Sequence, residues 1–183
     1  MILGLTGMPC AGKGTISDFL KEKGFGTLVF SDPLREELTR QGIPIERKSM
    51  QELANKMRAQ HGNGILAQKL LEKAEKGKDY VLDGVRNPSE IIELRKRDDF
   101  FLVSVDAPQM LRYARECERK RESQKTFEEF KKLDEKDFGS EEDPSGQQVG
   151  KCMEMADFSV YNDSELGELI DRIKEILDEI KEN

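Results

Sequence analysis

Two glycines and a lysine stand at the spacing G-x-x-x-x-G-K in Gly7-Met8-Pro9-Cys10-Ala11-Gly12-Lys13-Gly14-Thr15. The chemistry this spacing serves is the holding of polyphosphate. Glycines let the backbone bend closely around anionic oxygens, so that successive N–H groups point at them. The lysine adds a full positive charge within reach of the outer phosphates. The apolar run Met1-Ile2-Leu3-Gly4-Leu5-Thr6 reads as a strand, and Ile16, Phe19 and Leu20 repeat at helical spacing behind the loop. Lys13 is therefore delivered to a helix N-terminus, where unpaired N–H groups and the helix dipole also favour anions. Binding of a nucleoside triphosphate is the expectation. The Ser or Thr that usually follows the lysine and holds Mg²⁺ is Gly14 here, with Thr15 one place later.

Further candidates follow later strand-like runs. Ser31-Asp32-Pro33-Leu34-Arg35 suggests Asp32 as a helix N-cap with a proline at the first helical position. It places Arg35 one turn on, either solvated or as a planar fork for phosphate. Asp83-Gly84-Val85-Arg86 offers a carboxylate that can orient Mg²⁺ and its waters, and a second fork for phosphate. After Val105-Asp106-Ala107-Pro108, a helix carries Arg112, Arg115, Arg119 and Arg121. At about 100° per residue the first three share a face and Arg121 points away. Such a stripe can be a solvated surface or can stabilise charge on a transferring phosphoryl group, with Arg112 and Arg115 the better candidates. His61, the only histidine, reads as a helix-terminal structural residue, because an anionic acceptor needs no strong base.

The elements that must position these residues alternate. Strand-like runs recur at 1–6, 27–30, 79–82, 100–105 and 157–161, with helical patterns between them. Strands apolar on both faces imply a parallel sheet covered by helices on each side, with the ligand at the carboxyl ends of the strands. Residues 32–78 are too long for a simple crossover and suffice for three helices, with apolar stripes at Met50, Leu53, Ala54, Met57 and at Ile65, Leu66, Leu70, Leu71. Part of this excursion is expected to form a flap on the substrate side. The polar stretch 122–146 reads either as a solvated insertion or as a lid closing over phosphates. Leu166, Leu169, Ile170, Ile173, Ile176, Leu177 and Ile180 predict an amphipathic C-terminal helix.

Composition narrows the classes. One domain over 1–183 fits a chain of 183 residues. Its net charge of −7 argues against general nucleic-acid binding, which needs a basic face. No apolar run approaches the roughly 20 residues that span a bilayer, so no membrane partner is expected. Three cysteines without metal-ligand spacing read as reduced thiols, and a cytoplasmic location follows as the expectation.

Together these segments resemble the P-loop nucleoside monophosphate kinase superfamily. Residues 7–15 look like the adenylate kinase form of the phosphate loop, in which Gly-Thr follows the lysine. Ser31-Asp32-Pro33-Leu34-Arg35 is similar to the segment whose arginine grips the acceptor phosphate. Leu82-Asp83-Gly84-Val85-Arg86 is similar to the family's Asp-Gly-aromatic-Pro-Arg stretch without its proline. Val105-Asp106-Ala107-Pro108 and Ala156-Asp157-Phe158-Ser159-Val160-Tyr161-Asn162-Asp163-Ser164 lean toward dephospho-CoA kinase, where the segment around Asn162 lies beside the donor base. Over nearly the whole chain, Arg58 through Gly64 included, the resemblance is to a mainly archaeal group described as adenylate-kinase-like or dephospho-CoA-kinase-like.

That resemblance implies a three-layer α/β/α fold with a five-stranded parallel sheet, a helical acceptor-side insertion at 32–78 and a small lid at 122–146. It implies ATP and Mg²⁺ as cofactors and a small nucleotide-like phosphate acceptor as partner, in a monomer or homodimer. Gly7 to Thr15 would hold the donor phosphates, with Asn162 near the base. Thr15 and Asp83 would support the metal. Asp32, Arg35, Arg58, Asp83 and Arg86 would face the acceptor, and Lys13, Arg86, Arg112 and Arg115 would serve catalysis. The lid segment lacks the arginine pairs of adenylate kinase lids and offers Lys131, Lys132 and Lys136 instead.

Overall fold

The computed structural model describes residues 1–119, 126–139, 147–163 and 166–182. Five strands, β1 (Ile2–Thr6), β2 (Gly26–Val29), β3 (Tyr80–Asp83), β4 (Phe100–Asp106) and β5 (Phe158–Tyr161), form one sheet in the order β2-β3-β1-β4-β5. Every pairing is parallel, with Leu5 beside Asp83 on one side and Val103 on the other. The central strand β1 is buried along its whole length, as its unbroken apolar run requires.

Helices cover both faces. On one, α1 (Lys13–Glu22) and the C-terminal helix α9 (Leu166–Glu182) bury Ile16, Leu20, Leu169, Ile173 and Leu177 against Leu3, Leu5, Val103 and Val105. On the other, α4 (Ile65–Leu71), α5 (Pro88–Leu94) and α8 (Val149–Glu154) bury Leu70, Ile91, Leu94 and Cys152 against Leu82 and Leu102. The excursion at 32–78 holds three helices, as its stripes predict. Its α2 (Asp32–Gln41) and α3 (Arg47–His61) make a small core of their own with Leu34, Leu38, Leu53, Ala54, Met57 and Leu66. His61 is the exposed last residue of α3.

Two boundaries differ from expectation. Ser31, not Asp32, occupies the N-cap of α2, so Asp32 is the first helical residue and Pro33 the second. The stretch 122–146 contains a regular helix, α7 (Phe127–Phe138), opened by a Thr126/Glu129 capping box. The flanking parts of that expected lid, 122–125 and 140–146, lie outside the described residues, as does Arg121. The arginine helix itself is α6 (Gln109–Glu118).

Candidate nucleotide site

Since β1 pairs with β3 on one side and β4 on the other, the loop after β1 emerges at the switch point of the sheet. Thr6, fully buried, donates its hydroxyl to the Val85 carbonyl and so ties the start of this loop to the turn after β3. Gly7 adopts φ 132°, and a Cβ there would lie 1.9 Å from the Val105 carbonyl oxygen, so no side chain fits. Cys10 also takes a left-handed conformation, at φ 61°. Gly12, the N-cap of α1, has φ 119° and supplies no side-chain cap, so the first amides of the helix are left to another acceptor.

Lys13 curls back over this loop. Its ammonium donates to the Gly7 carbonyl at 2.7 Å and the Met8 carbonyl at 2.9 Å. Burial lowers its pKa to about 8, opposed by the nearby Asp83 carboxylate, while the Arg86 and Arg112 charges lower it further. Lys13, Asp83 and Arg86 therefore form one electrostatic neighbourhood at the ends of β1 and β3. An anionic ligand bound here would supply the negative charge that such a desolvated lysine lacks.

Beside the loop lies a cavity of about 180 Å³ lined by Cys10, Gly12, Thr15, Arg115, Arg119, Asn162 and Leu169. Arg115 reaches the Cys10 carbonyl at 3.4 Å and the Asn162 carbonyl at 3.5 Å. These are long contacts that leave a guanidinium able to shift toward an anion. Asn162 lines the cavity, and its side chain has structural work. Its amide donates to the Ala11 carbonyl at 2.7 Å, and its backbone N–H donates to the Asp106 carbonyl at 2.7 Å. It pins the phosphate loop to the end of β4.

Arg112 is placed differently from expectation. It is buried at 4 % exposure and bonds both guanidinium ends to Asp134 of α7, at 2.5 and 2.6 Å. Arg119, on the same helix face, lines the cavity instead. The helix period places both residues on one face, but only the docking of α7 decides which of them is consumed. Asp134 carried no signal, because it lies among the charges of a polar stretch.

On the side of the helical excursion, Arg58 of α3 approaches Glu90 of α5 at 3.5 Å, and its buried Nε has no hydrogen-bond partner among the described residues. Glu90, at 2 % exposure, accepts from the backbone N–H groups of Arg86 and Asn87 at 3.0 and 3.1 Å. Burial raises its carboxyl pKa. This is the reciprocal half of a capping box that Asn87-Pro88-Ser89-Glu90 spells out, a signal the sequence contained. Asp32 is half-buried and Arg35 exposed at the start of α2. No group of three His, Cys, Asp or Glu side chains converges as a metal site among the described residues. A divalent cation here would have to share its shell with ligand oxygens and water. Among the described residues, no helix is long and apolar enough to cross a membrane.

Comparison with known proteins places this geometry. A family model described as "AAA domain" matches residues 3–137. The "UPF0200 protein" of Sulfurisphaera tokodaii is 34 % identical over 182 residues, covering 98 % of this chain and 97 % of the relative. The chain also spans 56 % of the "UPF0200/UPF0201 protein" of Archaeoglobus fulgidus, at 29 % identity. Among solved structures, TT1252 from Thermus thermophilus has a TM-score of 0.62 at 20 % identity, covering 98 % of this chain and 97 % of that one. Shikimate kinase from Aquifex aeolicus has a TM-score of 0.56 at 18 % identity, covering 97 % and 96 %. These neighbours establish the P-loop kinase-like fold. The chain belongs to the AAA-domain family and to the archaeal UPF0200 proteins.

Proposed function

We propose that this protein is an ATP- and Mg²⁺-dependent phosphotransferase. It would move the γ-phosphoryl group to a small nucleotide-like acceptor, most simply a nucleoside or deoxynucleoside monophosphate. The observation that carries the reading is Lys13, half-buried and folded over the Gly7–Gly12 loop with its ammonium pKa lowered to about 8 and Asp83 and Arg86 nearby. Phosphoryl transfer demands positioning and charge rather than covalent chemistry, and these groups supply both.

In this reading the Gly7–Thr15 backbone and Lys13 hold the donor phosphates, while Arg115 and Arg119 border the nucleoside cavity. Asp83 and Thr15 would hold magnesium, which neutralises charge on the donor. Arg35, Arg58 and Arg86 would orient the acceptor, with the unsatisfied Nε of Arg58 as a donor awaiting an anionic oxygen. The segment around α7 and the excursion at 32–78 would exclude water from between them.

The test is ADP release from ATP with magnesium against a panel of nucleoside monophosphates and dephospho-CoA. Turnover stimulated by one of them, and abolished in a folded Lys13→Ala variant, is the expected result. Lys13→Ala with normal kcat would refute the assignment. Dephospho-CoA kinase activity is the alternative within this class. Its hydroxyl acceptor needs a carboxylate base, for which Asp32 is the candidate. Asp32→Asn should cost about 100-fold or more in kcat with a hydroxyl acceptor and little with a phosphate acceptor. The alternative of another class is a regulatory P-loop NTPase acting through a protein partner. That reading predicts nucleotide binding with no acceptor-stimulated turnover.

A further inference from the structure

Asp134 is a buried carboxylate at 4 % exposure on a helix otherwise rich in solvated charge. Besides Arg112 it accepts from the Gln109 side chain at 3.0 Å. Arg112 in turn donates its Nε to the Ala107 carbonyl at 3.0 Å and one terminal nitrogen to the Pro9 carbonyl at 3.3 Å. The first carbonyl lies just past β4 and the second in the middle of the phosphate loop. The Phe130 ring lies 5.8 Å from the guanidinium carbon and helps to shield the pair from water. Near its other end, α7 is docked as closely. A Cβ at Gly139 would lie 2.5 Å from the Gln147 carbonyl, and one at Gly150 would lie 2.6 Å from the Phe138 ring. Gln148, next in the chain, donates its backbone N–H to the Arg86 carbonyl at 2.8 Å.

An unpaired arginine at position 112 would be free to swing toward phosphate. A desolvated one, gripped at both ends by a carboxylate, is held as a strut between loop, strand end and α7. We propose that Asp134 is a positioning residue for the phosphate loop, acting through Arg112. Helix α7 thereby sets the shape of the nucleotide site instead of swinging as a free lid. This inference rests on the reading that residues 7–15 hold a nucleotide's phosphates.

Calorimetry with ADP and magnesium tests it without needing the acceptor. Asp134→Asn should weaken ADP binding about tenfold, the size of losing one or two backbone hydrogen bonds, and Asp134→Glu should recover part of that loss. A purely structural role is separated by the apolar pair Arg112→Met with Asp134→Leu, which keeps the packing and the melting temperature but cannot reach the Pro9 carbonyl. This double variant should bind ADP as weakly as Arg112→Met alone, since Asp134 then has nothing to act through. Should it fail to fold, Arg112→Lys serves, because it keeps the charge and lacks the fork. A folded double variant or Arg112→Lys protein with wild-type ADP affinity overturns the proposal. So does tighter binding by Asp134→Asn, which would make the pair a brake. Absence of ADP binding by the wild-type protein would sink the nucleotide reading itself, an outcome visible before any variant is made.

Discussion

Lys13 sits where its charge is least comfortable and most useful. Burial holds the ammonium at about 8, so in the free protein it loses its proton as pH rises through that value. A bound triphosphate stabilises the charged form and lifts the pKa back toward its ordinary range. Binding near pH 8.5 should therefore take up a proton, and nucleotide affinity should fall as pH rises above about 8. Titration calorimetry in two buffers of different ionisation enthalpy reads the uptake directly. Equal apparent enthalpies in both would show that no proton moves. Arg119 belongs to the same scale. It lines the donor cavity, and Arg119→Ala is expected to weaken ATP by about five- to tenfold without lowering the melting temperature.

The junction of loop and helix makes two glycines of opposite character. At Gly12, φ is 119° and a Cβ would lie 2.4 Å from the Asn162 amide nitrogen, the group that pins the loop to the end of β4. At Gly14, inside α1 and exposed, a Cβ meets nothing within 4 Å. Gly12→Ala should cost about 1–3 kcal/mol of stability through backbone strain and displacement of Asn162. Gly14→Ala should be neutral or stabilising by up to about 1 kcal/mol, because alanine suits a helix better. Urea denaturation of both variants measures the contrast, and similar losses at the two sites would contradict the loop geometry.

The whole molecule gathers charge of both signs around a sheet whose central strand is entirely buried. Within a net charge of −7, positive charge not already paired with Asp134 gathers at the carboxyl ends of the central strands, where Lys13, Arg86, Arg115 and Arg119 lie. A ligand bound there touches loops from most of the chain and so stabilises the domain as a unit. ATP with magnesium at 100 times its Kd should add about 2.7 kcal/mol, a rise in Tm of about 5–10 °C for a domain of this size. A melting curve unmoved by ATP or GTP at millimolar concentration would leave the nucleotide reading without support.

Much of this was legible in the residues alone. Period and apolar runs place all five strands to within a residue or two, most plainly β1, β3 and β4, because a strand buried on both faces has no choice but to be continuously hydrophobic. The glycine-lysine spacing marks the loop, since only a left-handed backbone can turn so tightly beside Val105. The capping box at Asn87 was equally readable and points to Glu90. What the chain could not announce is which arginine of a helical stripe is consumed. Arg112, Arg115 and Arg119 are equivalent by local chemistry, and their difference lies in a carboxylate 22 residues downstream of Arg112. Burial of Asp134 depends on how α7 docks, and docking is a property of the assembled core. Local sequence determines which groups are able to bind phosphate, while tertiary packing decides which of them are left with charge to spend.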